Sequence, residues 1–204
     1  MSPRRYEQRA RAEAAEETRR RILDAVYRRL REAPAQPLSV DAVAADAGVA
    51  RSTVYVIFGS RAGLFEAFAD YFFARAEIAR LSAAFDLPGA RDVMRAATRA
   101  SCEFYAAERD VSAAIYSTAL LDPEATGGLT RQLEDRRVRS MRLAVRRLRD
   151  EGELRPELSM KAAVDMWFVT ASFDAFDQLY TGRGLSAART ADLLVEMTER
   201  LLCV

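Results

Sequence analysis

Between Ser39 and Leu64 the chain reads SVDAVAADAGVARSTVYVIFGSRAGL, and this segment constrains the fold more than any other. Its breakers leave room for two short helices and the start of a third. Ser39 has a hydroxyl able to accept a bond from a free backbone N–H, the mark of a helix N-cap. Val40, Val43, Ala44 and Ala47 recur at helical spacing and make one apolar face. Gly48 ends that helix where a positive φ costs little, and Val49 turns back inward. A second helix, expected over 50–57, carries Arg51, Ser52, Thr53 and Tyr55 outward. Gly59-Ser60 closes it, and Ser60 caps the next helix. A helix, a glycine-bearing turn and a second helix with exposed donors is the pattern of a helix-turn-helix DNA reader.

The rest of the chain punctuates as helices. Met1 to Glu16 is basic and polar, and a loose segment is expected there. A firm helix is expected from Thr18, with Ile22, Leu23, Val26 and Leu30 on one face, stopped by Pro34 and Pro37. From Arg61 a long helix is expected to about residue 85, with Leu64, Phe65, Phe68 and Phe72 inward; Pro88-Gly89 breaks it. Further helices are expected at about 90–107, 109–120, 124–151, 159–181 and 187–202. No run alternates with period two for long enough to argue a sheet. The expected fold is all-α with about nine helices. An N-terminal three-helix helix-turn-helix domain (1–61) is followed by a helical domain (62–204).

Composition narrows the chemistry. The chain has 204 residues, half of them apolar and 30% charged, as ordinary globular proteins do. No apolar run approaches the ~18 residues that span a bilayer. The start is charged and is not a secretory signal, so a cytoplasmic protein is expected. Cys102 and Cys203 lie far apart without a CxxC, and there is no histidine, so neither a metal site nor a cofactor is expected. Without histidine the commonest general base is missing, neither cysteine has a partner to activate it, and no glycine-rich phosphate loop is present. The chain is therefore not expected to be an enzyme. Asp122/Glu124 and Asp150/Glu151 sit near helix ends, where capping and solvation account for them. Residues 1–61 hold twelve arginines against eight carboxylates, while the remainder holds nineteen cationic against twenty-two acidic residues. A basic head on an acidic body suits binding a polyanion with one end.

These residues resemble the DNA-binding domain of the TetR family of bacterial transcriptional regulators. The match is carried by TRRRILDAV from Thr18 to Val26, Ser39-Val40, AADAGV from Ala44 to Val49, and TVYVIFGSRAGL from Thr53 to Leu64. Ala50 departs from the family's usual serine or threonine cap, Arg61 replaces a lysine, and Val56-Ile57 replaces a more polar or aromatic pair. Apolar readout is expected at Val56, such as contact with a thymine methyl.

A helix of this kind lies in the major groove, where Arg51 can donate bidentately to a guanine edge and Ser52 and Thr53 can reach a base or a phosphate. The resemblance implies that Tyr55 contacts a phosphate or thymine, and that Arg61 and Ser39 hold the backbone. Arg19, Arg20 and Arg21 are candidates for further backbone contacts. Arg4, Arg5, Arg9 and Arg11 are candidates for an arm in a neighbouring minor groove. The resemblance also implies a homodimer on double-stranded DNA, formed through the last two helices, and a small-molecule pocket in the body. Candidates for that pocket are Phe104, Tyr105, Tyr116, Met141, Trp167 and Phe168, with Cys102 nearby; Asp174 and Asp177 among aromatics are candidates to hold a lipophilic cation. The function implied is a ligand-responsive regulator: a repressor on a palindromic operator, released by a small apolar or aromatic molecule. An activator with the same head is compatible with the residues. The alternative is a helical homodimeric interaction protein that has lost DNA binding.

Overall fold

The computed structural model describes residues 3–33, 38–75 and 83–204, with the side chains of residues 3–7 and Ala125 outside that description. Among the described residues there are ten helices: α1 (Pro3–Glu32), α2 (Val40–Ala47), α3 (Arg51–Phe58), α4 (Arg61–Arg75), α5 (Ala90–Ala107), α6 (Arg109–Leu121), α7 (Pro123–Asp150), α8 (Met160–Thr170), α9 (Phe173–Tyr180) and α10 (Ala187–Leu202). The sole extended pairing among them is one antiparallel bridge, Leu154 to Cys203. None of these helices is long and apolar enough to cross a membrane.

Two compact units form. The first takes in residues 1–72 and 113–130, the second residues 73–112 and 131–204. This division falls elsewhere than the boundary expected after Arg61. It passes through α4, α6 and α7, so each of those helices contributes to both units.

In the first unit the expected faces are buried: Ile22, Leu23, Val26 and Leu30 of α1, Val40, Val43, Ala44 and Ala47 of α2, and Leu64, Phe65, Phe68 and Phe72 of α4. Polar ties frame this core. Arg29 Nε pairs with Asp46 at 2.6 Å, and the Tyr71 hydroxyl donates to Asp24.

Two expectations are corrected. The segment before Thr18 is helical from Pro3 onward. Its alanines, arginines and glutamates are strong helix formers, and Arg9 pairs with Glu13 one turn on at 2.8 Å. Residues 8–17 are nonetheless exposed on every side, so no packing holds them. Pro34 and Pro37 lie outside the described residues; α1 closes at Glu32, with the Ala33 N–H donating to the Arg29 carbonyl at 2.9 Å. The expected course of the fourth helix over 76–82 also lies outside them.

The second correction concerns the helix expected over 159–181, which is two helices meeting at Ala171-Ser172. Ser172 caps α9 by accepting from the Ala175 N–H at 3.1 Å. Arg137 of α7 donates to the carbonyls of Phe168 (3.2 Å) and Ala171 (2.8 Å). Those are the carbonyl groups a helix end leaves without a partner.

The second unit is built around Val93, Met94 and Ala97 of α5, Ala144, Val145 and Leu148 of α7, Trp167 of α8 and Leu202 of α10. Two of its buried polar side chains are bonded in series: Trp167 Nε1 donates to Thr98 Oγ1 (2.9 Å), which donates to the Met94 carbonyl (2.8 Å). Thr170 and Thr198 share a hydroxyl bond of 2.8 Å between α8 and α10. Glu199 is the charged hub, receiving Arg95 Nε at 2.9 Å and Arg91 Nη1 at 3.4 Å.

The hydrogen bond from Arg95 is the main reason the Glu199 carboxyl titrates below its usual range, with the charges of Arg95 and Arg91 acting the same way. A depressed carboxyl contributes stability above its unfolded range and loses it as pH falls through the folded value. Glu199→Gln is therefore expected to lower unfolding free energy by about 1–3 kcal/mol at neutral pH. It is also expected to flatten the acid limb, measured by urea unfolding above and below the ordinary glutamate range.

Candidate nucleic-acid interface

The turn between α2 and α3 is fixed by backbone bonds. Gly48 adopts φ +65°, its N–H donates to Ala45 O at 3.1 Å, and the Val49 N–H donates to Ala44 O at 3.0 Å. This is the paired bonding of a glycine-terminated helix, and a side chain at that φ would be strained. Ser39 caps α2 through Ala42 N–H at 3.2 Å, and Ser60 caps the start of α4 through Gly63 N–H at 2.9 Å. Ala50 offers no side-chain cap, as its composition requires. At Gly63 a Cβ would collide with the Phe58 carbonyl, so the end of α3 approaches the first turn of α4 as closely as it does because residue 63 is glycine.

Among its eight residues α3 buries Val54 alone. Its outer face presents Arg51, Ser52, Tyr55 and Val56, with Thr53 half-buried beside them. Val56 is 84% exposed, although it is aliphatic and sits in mid-helix. Arg51 is held on two sides. Its Nη1 donates to both Asp41 oxygens, at 3.0 and 2.8 Å, and its guanidinium lies over the Tyr55 ring at 5.6 Å. Bonds to Tyr55 and the charge of Asp41 raise its pKa above the ordinary guanidinium value. Asp41 escaped sequence reasoning: it stands ten residues before Arg51, at the head of the neighbouring helix, and no local spacing rule joins the two.

Arg61 is engaged inside the unit. Nη2 donates to the Leu38 carbonyl at 2.9 Å, Nη1 pairs with Asp122, and the guanidinium stacks on Phe65 at 5.5 Å. Ser39, beside Leu38, has its hydroxyl bonded to α2. Arg19 lies over the Phe58 ring at 5.4 Å, Arg20 pairs with Glu17 at 2.8 Å, and Arg21 is exposed. Of the arm, Arg9 pairs with Glu13 and Arg11 is exposed; the side chains of Arg4 and Arg5 lie outside the described residues.

The second unit has a recess of about 320 Å³, within the roughly 300–1,000 Å³ typical of ligand pockets. Met141 and Trp167 line it, with Phe73 and Phe85. The other ligand candidates lie elsewhere. Phe104 and Tyr105 join an aromatic group in which Tyr105 meets Phe173 at 5.5 Å and Phe176 at 5.8 Å. Phe168 stacks on Arg137 at 4.7 Å, and Tyr116 falls in the first unit. Cys102 is buried, and burial pushes its thiol up to about 12. Asp177 is already paired with Arg109, at 2.9 and 3.1 Å, and that bond holds its carboxyl below the usual range. Asp174 is exposed.

Residues 22–68 match the family model of the bacterial regulatory proteins of the tetR family. No curated protein matches the chain. Solved structures share its fold. A TetR-like transcriptional regulator from Rhodococcus sp. RHA1 is 20% identical, with 90% of this chain and 94% of that one covered at a TM-score of 0.63. A TetR family transcription regulator from Marinobacter aquaeolei is 16% identical, with 94% and 98% covered at 0.70. The fatty acid degradation regulator FadR from Bacillus halodurans is 15% identical, with 88% and 93% covered at 0.66.

Arg61 can serve the fold or a phosphate, and one variant separates the two. If the bonds to Leu38 and Asp122 are its role, Arg61→Ala lowers unfolding free energy by about 1–2 kcal/mol and leaves the salt dependence of DNA binding unchanged. If a phosphate is its role, the slope of log affinity against log salt falls by about one. Urea unfolding and a salt series of binding isotherms read the two outcomes.

Proposed function

We propose, from the match of residues 22–68 to the model of the bacterial regulatory proteins of the tetR family, that this chain is a ligand-responsive transcriptional repressor that binds a palindromic operator as a homodimer. The observation that carries the reading is the outer face of α3. A short helix braced at both ends presents Arg51, Ser52, Tyr55 and the exposed Val56 to solvent, with one side chain buried beneath. Isolated exposed apolar groups are common; one flanked by a directed arginine and hydroxyl donors on a helix of groove-fitting width suits a base edge and a thymine methyl. Asp41 and Tyr55 hold the Arg51 fork in one direction before DNA arrives, which reduces the entropy lost on binding.

Dimerisation is supported by α8 and α10. On α10 one stripe, Leu194, Val195, Thr198 and Leu202, is buried within the unit, while Met197 and Leu201, one turn apart, are 47% and 39% exposed. On α8 Met166 and Val169 are exposed as well, Val169 by 64%. A second copy would cover these groups and set two α3 helices about 34–36 Å apart along a duplex. Effector response is supported by the recess. Phe73, on the last turn of α4, lines it, and α4 begins at Arg61. An effector lowers operator affinity only by preferring the arrangement that fits DNA less well, and α4 is the lever for that preference.

A gel shift with the DNA flanking the chain's own gene tests the reading. A palindromic site is expected to be retarded, and Arg51→Ala is expected to weaken it by about 1–3 kcal/mol and relax preference at one base pair per half-site. Unaltered affinity and preference in the variant would remove Arg51 from the interface. Met197→Glu is expected to give a monomer by light scattering and to weaken operator binding roughly hundredfold or more, since each head then binds alone. A dimer that persists with full affinity would exclude α10 from the seam.

A further inference from the structure

We infer that Asp41 is a specificity-determining residue of the DNA interface that acts through Arg51. It selects which edge of the guanidinium is offered to a base, and its charge disfavours every duplex without a guanine placed to take that edge. The inference rests on the reading that α3 enters a major groove. It adds to that reading a positioning residue on the neighbouring helix and a penalty on the wrong sequences.

The geometry of the fork carries the first part. A guanidinium has five N–H donors, arranged as an end pair from Nη1 and Nη2 and a side pair from Nε and Nη2. Asp41 takes the end, both of its oxygens accepting from Nη1, at 3.0 and 2.8 Å. Nη2 has only a long contact of 3.4 Å with the Tyr55 hydroxyl, and among the described residues no acceptor meets Nε. The side pair is therefore the one left for O6 and N7 of a guanine, which take two parallel donors. The Tyr55 ring, 5.6 Å from the guanidinium, restrains its tilt. Without Asp41 either pair could turn outward, and Arg51 could equally swing to a phosphate, which carries no sequence information.

Charge carries the second part. The side chains of Asp41 and Arg51 are 64% and 58% exposed. An ion pair so open adds little to stability, so the fold does not account for it. A carboxylate beside the outer face of α3 repels the phosphates of any duplex and offsets the attraction that Arg51 exerts on them. Only a site whose guanine takes the side pair answers that repulsion with base bonds. Discrimination then comes from disfavouring the other sequences as well as from favouring this one. The plainer role for Asp41 is a favourable charge in the first turn of α2, at the positive end of that helix. The two roles differ in sign. Loss of support for α2 weakens binding to every sequence, whereas loss of the selector strengthens binding to sequences without the guanine.

The full chain is used to select from a pool of duplexes randomised over about two helical turns, and its affinity for poly(dA-dT), which holds no guanine, is measured alongside. The unaltered chain is expected to enrich guanine at one position per half-site. Asp41→Ala is expected to lower that preference at least roughly fivefold and to leave the other positions as they were. The same variant is expected to bind poly(dA-dT) at least roughly twofold more tightly at low salt, because one repelling charge is gone. Arg51→Ala is expected to lose the same guanine, and adding Asp41→Ala to it to alter base preference no further. Circular dichroism verifies that each variant folds. If Asp41→Ala does not, Asp41→Asn, which keeps an acceptor without the charge, is expected to tighten poly(dA-dT) binding and keep part of the guanine preference. An unchanged guanine preference in the Asp41 variant, weaker binding to every sequence alike, or a further loss of preference in the double variant each overturns the inference. Any of these with a motif still enriched by the unaltered chain refutes the role of Asp41 and leaves the DNA reading standing. No motif enriched by the unaltered chain refutes both.

Discussion

An eight-residue helix that buries one side chain cannot hold itself in place, and α3 is such a helix. Isolated helices shorter than ~12–15 residues are marginal in water. Burial of Val54 contributes only what one small aliphatic side chain can, roughly 1.5–3 kcal/mol. Its position is therefore set at its ends. The glycine-terminated turn at Gly48-Val49 aims its start, and the missing Cβ at Gly63 lets its last carbonyl sit against α4. Arg19 closes over Phe58 from α1. The consequence is exposure: with so little of α3 committed to the core, the face that carries Arg51, Ser52, Tyr55 and Val56 stays open to solvent. A longer helix with a wider apolar stripe would be sturdier and would present less.

This economy explains what was legible in the sequence. The turn was legible because its cause is local: Ser39, Gly48 and Ser60 each act on backbone within a few residues, and the apolar spacing of α1, α2 and α4 fixes which faces turn inward. The outward set on α3 follows from the same spacing. What escaped depends on partners distant in the chain. Asp41 reaches Arg51 across a helix pair. Arg61 meets Asp122 sixty-one residues later, where the α6–α7 junction joins the first compact unit, and no pattern around either residue announces the pairing. The break at Ala171-Ser172 is of the same kind. Met160 to Tyr180 has no proline or glycine, so its own sequence permits one helix, and the donor that satisfies the carbonyls at the break comes from Arg137. The pocket candidates divided for a related reason. An aromatic at helical spacing faces inward, but whether it meets a recess, as Trp167 does, or another ring, as Tyr105 does, is decided by the opposing helix.

Several arginines of the chain are engaged within the fold. All but one of the chain's basic residues are arginine. Arginine's planar fork can serve several acceptors at once, which the compact ammonium of lysine does less well. Arg147 illustrates the use: it donates to the carbonyls of Phe85, Leu87 and Pro88, at 3.2, 3.0 and 2.9 Å, gathering three carbonyls of one loop. Arg91 reaches the Val204 carbonyl, Arg28 that of Asp46, and Arg137 a helix break. The same economy operates in the first unit, where Arg29 is paired with Asp46 and Arg61 bridges Leu38 to Asp122. Twelve arginines among residues 1–61 thus overstate the charge offered to a polyanion. Arg51 differs from these clasps in one respect: both its partners, Asp41 and Tyr55, are themselves exposed on the outer face of the head, so its bonds orient the guanidinium without burying it. An arginine held that way is oriented by its partners and keeps its access to solvent, which none of the clasps at a buried carbonyl does.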